Sequence, residues 1–561
     1  MGDFYQYEMS NMSQGGDDSP FTSKNWVFVN DTNQGSYGAN SVTFDLSTLY
    51  NSQKFIGVNE MELVVPLVMV LSKSAEANDL VQNDYAMALK NGFYNIIDSL
   101  SVVYDGQTVV QQCNHSNFYT SFKINSSIST NDLQNICPSI GVYPDSATSW
   151  QYSQTANVRG VGLTNNLNDP SVQLDLTAIS TGLERYNKGM FERQKRTSIA
   201  SAKFNPLTPA GTVENAMRNT TAFLSATQAR QHQVYYITAT IRLSDVCSFF
   251  SKMGLTRGFY GRLTFNLNMG SCRIVKTALT SLNLNQGDTN FPYQTCPFMI
   301  SPLRGASGAL SANTNFTEIV CGIYVQKVTA SVNCVVNHST LGVVDHKLGS
   351  CRIYAPQYEM KPEKALQYIQ ANRSKYIEYE DLQYTPLSNI VAGSAINFNI
   401  TNSALDPLML LVIPMISGSV NSVANQILYP HSSPFTCEPS CTSPVMLSQF
   451  NIQVAGCNVF PNNMNYDFEM FNHELLGVNS INGSGSLGLS SGLIDATGFE
   501  NIYRYYVVNL ERRVSNKAIP VSISISAQQC NSVPIDLHIF VVTRKSVVID
   551  CESGKLQSMA Q

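Results

Sequence analysis

The sequence predicts an all-β protein made of two copies of one antiparallel sandwich in tandem. Three observations lead there. Apolar and polar residues alternate along much of the chain: the odd positions of Tyr235–Leu243 and of Leu263–Met269 are apolar, and Val521–Ser526 alternates without a fault. Strands with one face on a core and the other on polar surroundings read this way. Helix-period stretches are few and short. Finally, the β landmarks of the first part return in the same order about 350 positions later.

The landmarks are specific. Lys24-Asn25-Trp26-Val27-Phe28-Val29 is echoed by Lys375-Tyr376-Ile377-Glu378-Tyr379, an offset of 351. Val42-Thr43-Phe44-Asp45-Leu46 is echoed by Ile396-Asn397-Phe398-Asn399-Ile400, an offset of 354. The apolar run Leu63–Leu71 carries Pro66, and Leu408–Ile416 carries Pro414, an offset of 348 at the prolines. The turn Asp105-Gly106 matches Ala455-Gly456 at 350, with Phe118 and Phe468 twelve residues beyond each turn.

In chain order, residues 1–24 are polar and hold Asp3, Glu8, Asp17 and Asp18 against Lys24. They read as an arm that orders on contact with a partner. The first sandwich is assigned to 25–340 and the second to 341–561. Asp105-Gly106 joins Leu100–Tyr104 to Thr108–Val110 as a two-residue hairpin. Ser244-Asp245 opens a short helix with Val246, Phe249, Phe250 and Met253 on one face, ended by Gly254. Pro362–Asn372 starts with Pro-Glu in its first turn. Asp467–Leu476 places Phe468, Phe471 and Leu475 on one stripe, ended by Gly477. Each helix is expected to plug the end of a sandwich. Long polar loops at 144–170, 205–230, 280–315 and 478–492 are expected to form contact surfaces.

At 561 residues the chain exceeds one core. Hydrophobic residues make up 43% and aromatics 10%, but charged residues only 13%, about half the usual ~25%. A surface polar through Asn, Ser and Thr costs less to desolvate and suits packing against copies of itself. The net charge of −5 and the acidic start leave no basic arm for phosphate neutralisation. The two longest apolar runs are nine residues each and contain proline, far short of the ~20 of a membrane-spanning helix. Met1–Gln6 lacks a basic and an apolar region, so synthesis without a secretion signal is expected. Gly2 is followed by Gln at position 6, a poor myristoylation match. The thirteen cysteines then read as reduced thiols, Cys247 and Cys321 among them as core fillers, and sequons such as Asn30 and Asn114 as unmodified.

No catalytic constellation emerges. Gly488-Leu489-Ser490-Ser491-Gly492 fits a nucleophile pattern, but lies in a Gly/Ser loop without the strand and helix that hold such a serine on a strained turn. His431, Cys437 and Cys441, with Cys457 further on, make one Cys-x₃-Cys and a distant His, short of the paired spacing of structural zinc; whether they bind metal stays open at this stage. Glu380 and Asp381 are adjacent on a strand and point to opposite faces. Asp467 and Glu469 are two apart on a helix and face differently. No catalytic, cofactor-binding or metal residues are therefore assigned.

Several segments resemble the major capsid proteins of small eukaryotic double-stranded DNA viruses, the polinton-like viruses and virophages. They are Lys90–Tyr94 running into Ser99–Tyr104, Asn117–Tyr119, Pro138–Gly141 with Pro144–Trp150, and Ala239–Leu243. In the second half they are Ser433–Phe435, Asn458–Phe460, Tyr466–Phe471 and Tyr503–Val508. Each is short, and together they span both halves. The cysteines of 437–457 depart from the pattern, which argues against a family-wide site there. The resemblance implies a double jelly-roll that is not an enzyme. It further implies a homotrimer presenting six similar barrels, a pseudo-hexameric capsomer that tiles an icosahedral shell beside neighbouring trimers and minor or penton proteins. Localisation would be the virion, with no sequence-specific nucleic-acid binding. The alternative is a tandem β-sandwich carbohydrate-binding or adhesin protein, disfavoured by the missing signal and only two tryptophans, Trp26 and Trp150.

Overall fold

A computed structural model of the chain describes residues 19–33, 37, 40–51, 53–73, 85–143, 193, 198–199, 232–276, 284–302, 318–325, 350–417, 431–434, 445–480, 491–501, 503–514 and 518–560. The expected loops 144–170 and 205–230, the Gly488–Ser490 stretch, Cys437 and Cys441 fall outside these residues, as do residues 1–18 of the expected arm.

Eight strands frame the first half: β1 (Phe21–Asn30), β2 (Ser41–Asp45), β3 (Glu62–Lys73), β4 (Ile97–Tyr104), β5 (Gln107–Val110), β6 (His232–Arg242), β7 (Gly261–Leu267) and β8 (Arg352–Met360). All pairings are antiparallel. One sheet runs β1-β8-β3-β6 and the other β2-β7-β4-β5. Eight more frame the second half: β9 (Ser374–Ile390), β10 (Ala395–Ala404), β11 (Pro407–Ile416), β12 (Leu447–Val454), β13 (Cys457–Asn458), β14 (Tyr506–Asn509), β15 (Val521–Gln529) and β16 (Ile535–Asp550). Their sheets run β9-β16-β11-β14 and β10-β15-β12-β13. Adding eight to each label turns the first pair of sheets into the second. Both halves are therefore jelly rolls of one topology, and the tandem repeat is real.

The landmarks sit at equivalent places. Asp105-Gly106 and Ala455-Gly456 both turn with positive φ at both residues, 47° and 80° against 50° and 78°, the geometry of a tight two-residue hairpin. Pro66 and Pro414 lie on β3 and β11. One landmark slips by a residue. Trp26 is 49% exposed on β1 and Tyr376 is 66% exposed on β9, which makes 350 the face-preserving offset. The offset of 351 would set outward Trp26 on inward Ile377, because one residue reverses the face of a strand.

The first sandwich is the wider. β3 pairs with β8 only over Glu62–Val64. Its far half pairs with a strand at Glu318–Val325, which continues the sheet into Gly270–Lys276 and Leu284–Asn290. Part of the expected 280–315 loop is thus strand, Leu284–Asn290 and Phe298–Pro302. Two strands cross the expected limits. β1 begins at Phe21, inside the expected arm, because its register with β8 runs to Met360. β8 lies past residue 340 yet pairs with β1 and β3 of the first sandwich.

The helices lie in the connections between strands. α1 (Ser116–Asn125) follows β5. The expected helix near 244–254 is two pieces, Leu243–Val246 and α2 (Ser248–Met253), broken where Cys247 is extended. α3 (Pro362–Ala371) links the sandwiches, and its Ala365, Tyr368 and Ile369 form a small core with Phe55, Leu255 and Tyr358. α4 (Phe468–Ser480) runs past Gly477 instead of stopping there. Cys321 is buried as expected, whereas Cys247 is only half-buried. No described helix is long and apolar enough to cross a membrane.

Candidate functional site

Several of the residues weighed as chemistry hold the fold instead. Asp467 Oδ1 accepts the Met470 N–H at 2.8 Å and caps α4, while Glu469 is exposed on its first turn. Glu380 and Asp381 have different partners. Glu380 Oε2 accepts from the Tyr119 hydroxyl at 3.3 Å and lies 3.6 Å from Lys123 Nζ. Asp381 is ion-paired with Lys545 at 2.5 Å. Gly492 (φ +54°) closes onto α1, where an added Cβ would lie 2.3 Å from the Asn125 carbonyl oxygen. Ser491 and Gly492 thus form a docking turn against α1, while Ser490, the serine of the nucleophile pattern, lies outside the described residues. Cys457 is exposed in the β12–β13 hairpin, whereas His431 is fully buried. Among the described residues, no group of three or more His, Cys, Asp or Glu side chains is placed to hold a metal ion.

What the structure does bring together is the junction between the sandwiches. β9 and β16 are long and reach across it, so Ile377, Tyr379, Val547 and Ile549 join the first core. In return α1 places Phe118, Tyr119 and Phe122 in the second core. Phe249 of α2 packs edge-on against Tyr379, ring centroids 5.2 Å apart. Ser248 Oγ accepts the Glu380 N–H at 2.8 Å and donates to the Glu380 carbonyl at 3.1 Å. The Tyr104 hydroxyl donates to the Gly554 carbonyl at 2.5 Å. Burial raises the phenol pKa of both Tyr104 and Tyr379 far above the usual value, so both remain donors. These contacts fix the two rolls as neighbours.

Sequence reasoning missed His115 and His538 of this junction and met His431 only beside the distant Cys437 and Cys441. His115, His431 and His538 are scattered singly along the chain, with no spacing to flag them. Burial between β16, α1 and the 431–434 turn brings their rings together. His115 caps α1 in a left-handed conformation, φ 55°, and its N–H donates to Asp98 Oδ1 at 3.1 Å.

The surface carries a second pattern. Lys24, Trp26 and Phe28 point outward from β1, with Lys24 Nζ 5.3 Å from the Trp26 ring centroid and the Arg352 guanidinium 4.5 Å from that of Phe28. A flat aromatic and cationic stripe of this kind suits side-by-side packing better than a ligand groove. In the second sandwich Arg544 joins Glu378, Asp406 and Glu511 at 2.7, 3.6 and 2.6 Å, which ties strand β9 and two turns to β16.

No protein-family model matches the chain, and no curated protein matches it. Solved structures are similar in outline. The cryo-EM structure of the Sputnik virophage aligns over 98% of this chain and 90% of that one, with 10% identity and a TM-score of 0.46. The mavirus major capsid protein aligns over 98% and 92%, with 10% identity and a TM-score of 0.46. The Faustovirus major capsid protein aligns over 95% and 92%, with 8% identity and a TM-score of 0.40.

Proposed function

We propose that this chain is a major capsid protein, a structural and non-enzymatic subunit of an icosahedral double-stranded DNA virus shell. The observation that carries this is the doubled jelly roll: two sandwiches of one strand order, locked side by side through α1, β9 and β16. Jelly rolls serve viral shells, lectins and cupins. A fused, rigid pair makes a building block rather than two independent binding modules. Three copies about a closed axis present six similar barrels and fill a near-hexagonal tile.

The partners in this reading are two further copies in a homotrimer, neighbouring trimers, and minor or penton proteins at the vertices. Localisation is the virion. The domain limits we propose are an arm through residue 20, a first roll through Met360 and a second roll from Ser374, with α3 as the link. The arm reaches a neighbouring subunit. The adhesin alternative has little support, since Trp26 lies on an open strand face beneath Lys24 and not in a groove.

Light scattering on the purified full chain is the test. A mass of three chains, with hexagonal outlines in negative stain, is expected. A stable monomer at high concentration would overturn the proposal.

A further inference from the structure

Three imidazoles from distant parts of the chain meet where the sandwiches touch. The ring centroids of His115 and His431 are 6.1 Å apart, those of His115 and His538 5.6 Å, and those of His431 and His538 5.4 Å. The rings are steeply inclined to one another, at 69°, 81° and 82°. His115 also stacks on Phe118 at 5.1 Å, and His431 and His538 each meet the Phe118 edge or face. Phe118 is the aromatic by which α1 enters the second core. His431 and His538 are 0% and 4% exposed.

We propose that this junction is a proton-sensitive latch: three uncharged imidazoles seal α1 into the second sandwich at neutral pH, and acid releases it by charging them. The inference concerns the single chain and does not depend on the capsid reading. Two positive rings within 6 Å, away from water, repel strongly and lose hydration. The uncharged trio packs as aromatic surface.

The surrounding charges are few. From β4, Asp98 Oδ1 lies 3.6 Å from His115 Nδ1. From β9, the Tyr384 hydroxyl lies 2.9 Å from His538 Nδ1. On β16, Asp536 is two residues from His538 and accepts the Asn389 N–H at 2.6 Å. Lys90, fully buried, faces His431 and adds a like charge. Cys296, whose N–H donates to the His431 carbonyl at 2.7 Å, is also near Lys90. Cys113 lies close to Asp98.

Burial lowers the His115 imidazole to about 4 and the His538 imidazole to about 3, and lowers that of His431 well below its ordinary value. Groups with depressed pKa in the closed state give stability that is complete above about 6.5 and is lost as pH falls towards the closed-state values. Burial works oppositely on Asp98, raising it to about 6. Below that pH the closed state holds one proton that the open state still lacks. Three protons taken up on opening, less this one, leave two. The opening constant should then rise up to ~100-fold per pH unit between about pH 6 and 4.

The test is hydrogen exchange of residues 113–125, with thermal melting, on the full chain from pH 7.5 to 4.5, with and without EDTA. In the wild type α1 should lose protection before the sheets do. His115→Gln and His538→Gln should each reduce the pH dependence by about tenfold per unit, and Asp98→Asn should steepen it. The proposal fails if the histidine variants keep the wild-type pH slope, or if EDTA alone releases α1 at pH 7.5, which would make the cluster a metal centre. Should the variants not fold, the wild-type ramp decides: exchange of α1 only on global unfolding overturns the latch.

Discussion

The Tyr379 hydroxyl, in the second sandwich, donates to the Val109 carbonyl oxygen of the first at 2.5 Å. Tyr379→Phe keeps the ring on Phe249 and leaves that carbonyl unpaired, which is expected to cost about 1–3 kcal/mol. Tyr379→Ala also removes the ring and should cost about 3–5 kcal/mol. Urea melts of the two variants against the wild type check both values. Equal losses would mean that the ring contributes nothing to the junction.

Gly554 and Gly393 share a left-handed backbone, φ +70° and +68°, but not the same space. A Cβ at Gly554 would lie 2.4 Å from the Gly258 carbonyl oxygen, while one at Gly393 meets nothing within 4 Å. Gly393→Ala should therefore cost only the ~1–2 kcal/mol of a strained φ. Gly554→Ala should cost clearly more and should loosen the Tyr104–Gly554 bond. Paired thermal melts distinguish the steric part from the conformational part.

The Asp381–Lys545 pair is shielded, its side chains 2% and 13% exposed. Removing the cation alone strands a buried carboxylate, so Lys545→Met is expected to cost about 3–5 kcal/mol. The double change Lys545→Met with Asp381→Leu should recover at least half of that. A double-mutant cycle in urea measures it, and a double variant no better than the single one contradicts the assignment.

Asp98 makes stability depend on pH in the direction opposite to the histidines. Its carboxyl is raised to about 6, burial outweighing the His115 N–H bond. A raised acid holds its proton in the fold, so its contribution is complete below about 3.8 and is lost as pH rises through 6. Asp98→Asn should thus be more stable than the wild type at pH 7, with the advantage shrinking towards pH 4. Denaturation at fixed ionic strength across that range checks the sign.

Much of this architecture was legible because jelly-roll strands keep period 2 and turn at glycine. Asp105-Gly106 and Ala455-Gly456 announce two hairpins, and both take the required left-handed pair. Strand membership was harder. β8 carries no mark of belonging with β1, some 320 residues earlier, because pairing partners are chosen by sheet closure and not by local pattern. The even offset between Trp26 and Tyr376 was hidden for a related reason: low identity blurs a slip of one residue, although burial does not tolerate it. The histidine junction was unreadable, since His431 pointed only to distant cysteines, and His115 and His538 gain meaning only when α1 crosses from one core into the other.

That crossing constrains inheritance. Phe118, Tyr119 and Phe122 complete a core encoded mostly beyond residue 390, and Ile377, Tyr379, Val547 and Ile549 complete one encoded mostly before residue 361. Recombination between related genes at the middle of the chain would pair mismatched donors on both sides. Viable exchanges should carry both halves together or stay within loops, so the two rolls behave as one heritable unit.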